Sequence, residues 1–105
     1  MLRIYPVCLE MAAGVAAIVE AIGSQDRDLG RQLKRASVSV VLNVAEGSAV
    51  RDGRRRTRYG DALGSAMETR AGIEAAVAIG YVHQMPKPLQ AQLRQIIGTL
   101  VRLVT

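Results

Sequence analysis

Apolar residues recur at steps of three and four positions through four separate stretches of this chain. Because an α-helix turns once every ~3.6 residues, that spacing places each set of apolar side chains along one face of a helix. The four faces consist of Cys8, Met11, Ala12, Val15, Ile18, Val19 and Ile22; Leu29, Leu33, Ala36, Val40 and Val44; Tyr59, Leu63, Ala66, Met67, Ile73 and Val77; and Leu89, Leu93, Ile96, Ile97, Leu100 and Val104. The pattern predicts an all-α protein.

Short polar or helix-breaking segments separate these four stretches. We expect the second helix to run to about Gly47 and the third from about Arg55 to Gly80. The breaks contain Gly23 and Ser24, with Asp26 or Asp28 as the next cap; Gly47 to Gly53; and Pro86 with Pro88. Connections this short place neighbouring helices antiparallel. The sequence therefore predicts an antiparallel up-down four-helix bundle, formed by residues 1–105 as a single domain.

The composition supports helices and argues against several classes of site. A sheet core would draw on aromatic residues, but the chain has no Phe or Trp and only three Tyr. A single cysteine excludes an internal disulfide and a multi-Cys zinc site, and we expect Cys8 to be a buried hydrophobe. His83 is the only histidine and has no ligating neighbours. We therefore predict no metal and no cofactor.

From the sequence we predict no membrane span. The longest uncharged stretch, Ala75 to Pro86, is far shorter than the ~20 apolar residues that a spanning helix needs. The stretch from Met11 to Val19 is apolar enough to be the core of a secretory signal, but Pro6 and Glu10 interrupt the approach to it. We expect no membrane association and a cytoplasmic location.

The positive charge of the chain is concentrated in one octet. Of the net charge of +5, the segment from Arg51 to Arg58 carries +4, because it contains five arginines and one aspartate. Arginine is the better residue for bidentate contacts with phosphate, and cations at the start of a helix oppose its dipole. One interpretation is a nucleic-acid-binding surface; the other is a solvated loop and helix start. The arginine cluster consists of Arg51, Arg54, Arg55, Arg56 and Arg58.

Small and polar residues form four-residue rows on the second and third helices. One row contains Arg35, Ser39, Asn43 and Gly47, and the other contains Gly60, Gly64, Glu68 and Gly72. Folding the two helices into a hairpin pairs Gly60 with Asn43, Gly64 with Ser39, and Glu68 with Arg35. We therefore expect a close helix pair, with an Arg35–Glu68 salt bridge and Gly64 packed against the backbone of the second helix. Glu68 lacks the second group that acid–base catalysis needs.

Glu46 lies near the end of the second helix, where the helix dipole disfavours a carboxylate. An acceptor for backbone N–H groups around Gly47 and Ser48 would explain its position. We hold this as a hypothesis beside a simple surface role.

Two segments of the chain resemble the signatures of the 23S rRNA intervening-sequence proteins. One contains Gln32-Leu33-Lys34-Arg35-Ala36, then Ser39 and Asn43-Val44-Ala45-Glu46-Gly47-Ser48, and the other contains Gly64-Ser65-Ala66-Met67-Glu68, followed by Ile79-Gly80-Tyr81. The resemblance covers about half of the chain, from Gln32 to Val82. It implies a four-helix bundle that assembles into a ring-like homo-oligomer, with a pentamer favoured. Related accessory proteins of diversity-generating retroelements bind a reverse transcriptase and nucleic acid.

These observations predict a non-enzymatic, oligomeric adaptor that binds RNA or DNA through phosphate contacts, with a possible protein partner. The second helix supports oligomerisation independently, since Val38, Val41 and Leu42 add apolar residues outside its inner face. The alternative is a purely structural or protein-interaction module with no nucleic-acid role.

Overall fold

A computed structural model describes the whole chain, from Met1 to Thr105. It contains four α-helices and no β-strand, which confirms the predicted all-α fold. The helices are α1 (Tyr5–Ile22), α2 (Arg27–Ala49), α3 (Gly53–Ile79) and α4 (Lys87–Val104), and a single 3₁₀ turn, Gly23–Gln25, follows α1. The second helix ends two residues later and the third begins two residues earlier than predicted, so only three residues, 50–52, connect them.

Short polar side chains and a glycine set the helix ends. Of the two predicted caps for α2, Asp26 is the one used, and its carboxylate accepts a hydrogen bond from the Leu29 N–H at 2.9 Å. Asp52 caps α3 in the same manner by accepting from the Arg54 N–H at 2.9 Å. Gly80 ends α3 in the left-handed conformation at φ 95°, which a side chain would disfavour.

Each helix packs on the next one along the chain, and α1 also packs on α4. Between α2 and α3, Ser39 meets Ser65 and Gly47 lies against Tyr59, so residue numbers rise in one helix as they fall in the other. Gly30 lies beside Val19 at the contact of α2 with α1. The small residues at these contacts let the helices approach closely.

The core contains most of the predicted inner faces of α1, α2 and α4. The fully buried large side chains include Met11, Val15, Ile22, Leu33, Val40, Val44, Leu93, Ile96 and Leu100. Cys8 is also buried, and burial raises the pKa of its thiol to about 11.

The inner face of α3 was predicted less well. Met67 was expected in the core but is 43% exposed, whereas Ala62, Thr69 and Ala76 are fully buried. The prediction followed the larger apolar side chains. In the structure α3 presents its small side chains to the other helices, because these allow the closest helix packing.

The first helix is the most apolar of the four. By length and composition alone the segment Tyr5–Gln25 could cross a membrane, and a core helix passes the same test. In this structure its apolar side chains at Cys8, Met11 and Ile18 are buried against the other helices.

Candidate nucleic-acid interface

The arginine cluster lies where α2 ends and α3 begins, and all five of its side chains are exposed. Its members do not share one environment, because two of them bond to backbone carbonyls, two pair with carboxylates, and Arg51 makes no hydrogen bond or ion pair. What the cluster can do chemically therefore depends on the N–H groups that each side chain has left.

Two members of the cluster cap the ends of other helices. Arg55 donates through Nε to the carbonyl oxygens of Gly47, at 3.1 Å, and Val50, at 2.7 Å. Arg56 donates through Nε and Nη2 to the carbonyl oxygen of Val104, at 3.0 and 2.7 Å. These carbonyls lie at the ends of α2 and α4, where helix backbone oxygens lack partners and the dipole is negative.

This geometry corrects the electrostatic argument made from the sequence. We expected the arginines to oppose the dipole of α3, whose first residues they occupy. The structure brings the terminal carbonyls of α2 and α4 to the same place, so that Arg55 and Arg56 are held by favourable contacts instead. Only the packing of the helices decides this, since Val104 is 48 residues from Arg56.

Two further members pair with carboxylates. Arg54 donates through Nε to both carboxylate oxygens of Asp52, at 3.0 and 3.2 Å, and these bonds hold the pKa of Asp52 below its ordinary value of 3.8. Arg58 Nε lies 3.4 Å from Glu46 Oε2. The proposed bonds from loop N–H groups to Glu46 do not form, so that hypothesis was wrong: its partner is the guanidinium one turn into α3.

The anchoring contacts leave most terminal amino groups free. The side chains of Arg54 and Arg55 make all their hydrogen bonds through Nε, so both Nη atoms of each remain available. Arg56 keeps Nη1. The cluster is thus an exposed set of partly oriented guanidinium groups, which suits an anion with several oxygen atoms, such as a phosphate.

A close contact between α2 and α3 lies next to the arginine cluster. The ring of Tyr59 lies over Gly47, where a Cβ would come within 2.5 Å of the ring carbon Cε1. Tyr59 is only 4% exposed. Its hydroxyl lies 3.4 Å from Ser48 Oγ, which also donates to the Val44 carbonyl at 2.9 Å. Only glycine at position 47 lets α3 start so close to the end of α2.

The polar rows of the hairpin meet in a register one residue away from the predicted one. Ser39 Oγ bonds to Ser65 Oγ at 2.8 Å, so Ser65 takes the place that we had given to Gly64. The Asn43 amide donates to the carbonyl and hydroxyl oxygens of Ser39 within α2 and does not cross to Gly60. The prediction that Gly64 packs against α2 was wrong, since nothing lies within 4 Å of a Cβ built there.

The predicted ion pair in this hairpin is also absent. Arg35 and Glu68 are both exposed, and neither belongs to any of the three ion pairs of the chain, which join Arg31 to Asp28, Arg54 to Asp52 and Arg58 to Glu46. Because Ser65 rather than Gly64 faces α2, Gly64 and Glu68 face solvent, whereas Gly72 of the same row does not. The close glycine contact occurs at Gly72, where a Cβ would lie 2.5 Å from Leu33 Cδ2.

Sequence reasoning placed Tyr59 and Gly72 at helix contacts, but it missed Ser65 as the partner of Ser39 and a second group of cations on α2. Ser65 was within the quoted Gly-Ser motif, so its hydroxyl was a detectable signal. The cations of α2 were overlooked because the octet from 51 to 58 dominates the charge. No three His, Cys, Asp or Glu side chains converge in a way that could hold a metal ion.

A family model of the 23S rRNA-intervening sequence proteins matches residues 1–102. The chain belongs to this family. The match confirms the resemblance noted in the sequence and extends it from about half of the chain to nearly all of it. No curated protein matches the chain.

The family assignment agrees with the fold of a solved structure. That structure is the 1.70 Å crystal structure of a protein of unknown function from the S23 ribosomal protein family of Bacteroides thetaiotaomicron. It is similar with a TM-score of 0.81 and 17% sequence identity, covering 97% of this chain and 98% of the other. At this identity the similarity shows a shared fold.

Proposed function

We propose that this protein is a non-enzymatic, cytoplasmic adaptor that binds RNA or DNA through the phosphate backbone, alongside a protein partner such as a reverse transcriptase. The observation that carries the proposal is the exposed arginine cluster, in which four of the five guanidinium groups are anchored through Nε and keep at least one terminal amino group without a partner. Glu68 and His83 are exposed and bonded to no other titratable group, which gives no support to acid–base catalysis.

Anchored guanidinium groups bind anions at a lower entropic cost than freely rotating ones, because fewer rotamers are lost on binding. Each phosphate that an arginine neutralises releases condensed counterions, so the affinity falls as salt rises. Such contacts position a strand without reading its bases. No exposed aromatic ring lies in the segment 51–58 to stack on a base, and Tyr59 is buried. Binding is therefore expected to show little sequence preference.

The active form that we propose is a homo-oligomer of antiparallel up-down bundles, with a ring of five favoured by the family resemblance. Two exposed apolar side chains on α2 support an assembly: Val38 is 43% and Leu42 is 53% exposed. In a ring, the arginine cluster of each subunit would repeat around one rim and multiply its charge.

A second candidate function follows from the capping bonds of Arg55 and Arg56. These bonds stabilise the ends of α2 and α4, which is reason enough for two arginines at these positions. In this alternative the protein is a structural or protein-interaction module, and its arginines have no nucleic-acid role.

Salt-dependent binding separates the two candidates. We expect the protein to hold labelled RNA and duplex DNA at low salt, with a log–log salt slope on duplex of roughly −4 to −5 if about five phosphates are contacted. Replacing Arg51, Arg54 and Arg58 with glutamine leaves both helix caps in place and should reduce the magnitude of that slope by up to ~3.

The matched control is Arg94→Gln, which removes an exposed arginine of α4 that makes no hydrogen bond or ion pair. It should leave the slope within ~1 of the wild-type value. A wild-type protein that retains neither RNA nor DNA at low salt would refute nucleic-acid binding and leave the structural alternative. Light scattering tests the assembly separately, and a monomer at micromolar concentration would contradict it.

A further inference from the structure

The first half of α2 carries four cations that lie outside the arginine cluster. Arg27, Arg31, Lys34 and Arg35 follow one another at steps of four, three and one residue. These steps place all four on one side of the helix, and all four side chains are exposed. We call this set the basic row.

The side chains of the basic row have almost no partners within the chain. The side chains of Arg27, Lys34 and Arg35 make no hydrogen bond or ion pair. Arg31 has one contact, 3.7 Å from Asp28, and both side chains of that pair are about three-quarters exposed, at 74% and 73%. Exposed pairs of this kind contribute little to stability. The arginine cluster differs sharply, since four of its five members are bonded to a carbonyl or a carboxylate.

Like charges one turn apart on a helix repel each other by a few tenths of a kcal/mol per pair. Within this chain only the exposed Arg31–Asp28 pair offsets that repulsion along the basic row. The expected partner for Arg35 was Glu68, and that pair does not form. Three of the four cations therefore have no internal partner and are available to an external anion.

The shape of the surface suits an extended polyanion. The basic row borders shallow grooves on α2; Arg27, Arg31 and Lys34 line the one beside Val19, Gly23 and Gly30. Gly30 has no side chain and packs against Val19, so the surface between the charged side chains is recessed. At ~1.5 Å per residue the row from Arg27 to Arg35 extends about 12 Å, and each strand of a duplex carries one phosphate per ~3.4 Å of helix axis. The row is therefore long enough to contact more than one phosphate of a strand.

We infer that the basic row is a second nucleic-acid contact, which takes the sugar–phosphate backbone of an RNA or DNA strand independently of the arginine cluster. The inference depends on the proposed function for the class of ligand but assigns it to a different surface. Charge complementarity favours this occupant over a second copy of the chain, because two facing rows would repel each other. Three carboxylates lie near the row, Glu20, Asp26 and Asp28, against its four cations, so the row keeps a net positive charge.

The test compares two variants that each remove three charges. The row variant is Arg27→Gln/Lys34→Gln/Arg35→Gln, which changes only side chains without a partner. The cluster variant is Arg51→Gln/Arg54→Gln/Arg58→Gln. Salt titrations with labelled single-stranded RNA and duplex DNA are run on both variants and the wild type, and circular dichroism melting confirms that each variant folds.

We expect the row variant to reduce the magnitude of the salt slope by up to ~2 on single strands and up to ~3 on duplex, and to melt no lower than the wild type. An unchanged slope in the row variant, with a reduced slope in the cluster variant, overturns this inference and leaves the proposed function intact. Wild-type protein that binds neither nucleic acid overturns both. Wild-type protein that binds vesicles of phosphatidylserine but no nucleic acid would make the row a lipid contact and overturn the inference as well.

Discussion

The arginine cluster and the basic row are both groups of exposed cations, but the fold treats them in opposite ways. In the cluster, Arg55 and Arg56 reach the carbonyl ends of two helices, and Arg54 and Arg58 each have a carboxylate. In the row, only Arg31 has a partner, at 3.7 Å. The density of charge in a sequence therefore does not measure how much of that charge is free. The helix carbonyls and carboxylates that the fold brings near each cation decide it.

The largest effect on stability should come from replacing Gly47, which packs against Tyr59 next to the arginine cluster. Gly47→Ala places a Cβ within 2.5 Å of the Tyr59 ring, and overpacking of this kind costs about 1–3 kcal/mol of unfolding free energy. Gly64→Ala meets nothing within 4 Å and should stabilise α3 by about 0.5–1 kcal/mol. Urea unfolding measures both. Equal effects of the two substitutions would show that the hairpin is packed equally along its length.

The next largest effect on stability should distinguish the capping arginines, Arg55 and Arg56, from the cations of the basic row. Arg56→Gln removes the bonds to the Val104 carbonyl and should lower the unfolding free energy by about 0.5–1.5 kcal/mol, and Arg55→Gln by a similar amount. Arg35→Gln removes a side chain without a partner and should change stability by less than ~0.5 kcal/mol. Thermal melting provides the measurement. Loss of stability in Arg35→Gln equal to that in Arg56→Gln would remove the distinction drawn between the two regions.

A smaller effect tests the register of the hairpin. A double-mutant cycle between Ser39 and Ser65, each replaced by alanine, should give a coupling of about 0.5–1.5 kcal/mol, because their hydroxyls bond at 2.8 Å. The same cycle between Arg35 and Glu68 should give a coupling near zero. Strong coupling of Arg35 to Glu68 would favour the register predicted from the sequence over the one in the structure.

The smallest effects should appear at the extremes of pH, at opposite ends of the bundle. Arg54 lowers the pKa of Asp52, so the stability from this pair is complete above pH 3.8 and is lost as the pH falls through the lower pKa of the folded state. Burial, and then the neighbouring Asp26, raise the pKa of Tyr81 above 10.0, so its contribution is complete below pH 10.0 and is lost as the pH rises through the higher value.

Titration by NMR measures both groups in the folded protein. Arg54→Gln should return Asp52 toward its ordinary pKa without moving Tyr81, and Asp26→Asn should act on Tyr81 alone. A shift of Tyr81 in Arg54→Gln would mean that the two ends of the bundle are coupled.

Periodicity predicted the helices well because it reflects burial, which acts on each helix through its own sequence. Leu33, Val40 and Val44 are buried as expected. The inner face of α3 was predicted less well, because its buried alanines carry little hydrophobic signal and the larger Met67 is exposed. The site was predicted only in part: the arginine cluster was found, but the partners of its members were not.

Contacts between helices also depend on register, and a rotation of one residue is enough to change them. The spacing of Ser39 and Gly64 indicated a close pair, and the structure places Ser65 there instead. A shift of one position turns a helix by about 100°. Gly64 and Glu68 therefore face solvent, and Arg35 loses its expected partner.

Local sequence patterns were enough to predict that this chain forms four helices, which residues of α1, α2 and α4 form the core, and that its charge is concentrated at residues 51–58. Which of the cations are engaged depends on how the four helices pack. The carbonyl of Val104 meets Arg56 because α3 starts where α4 ends, and no local pattern encodes a contact across 48 residues. Helix formation depends on neighbours in sequence, whereas the partner of a charge depends on how the helices pack.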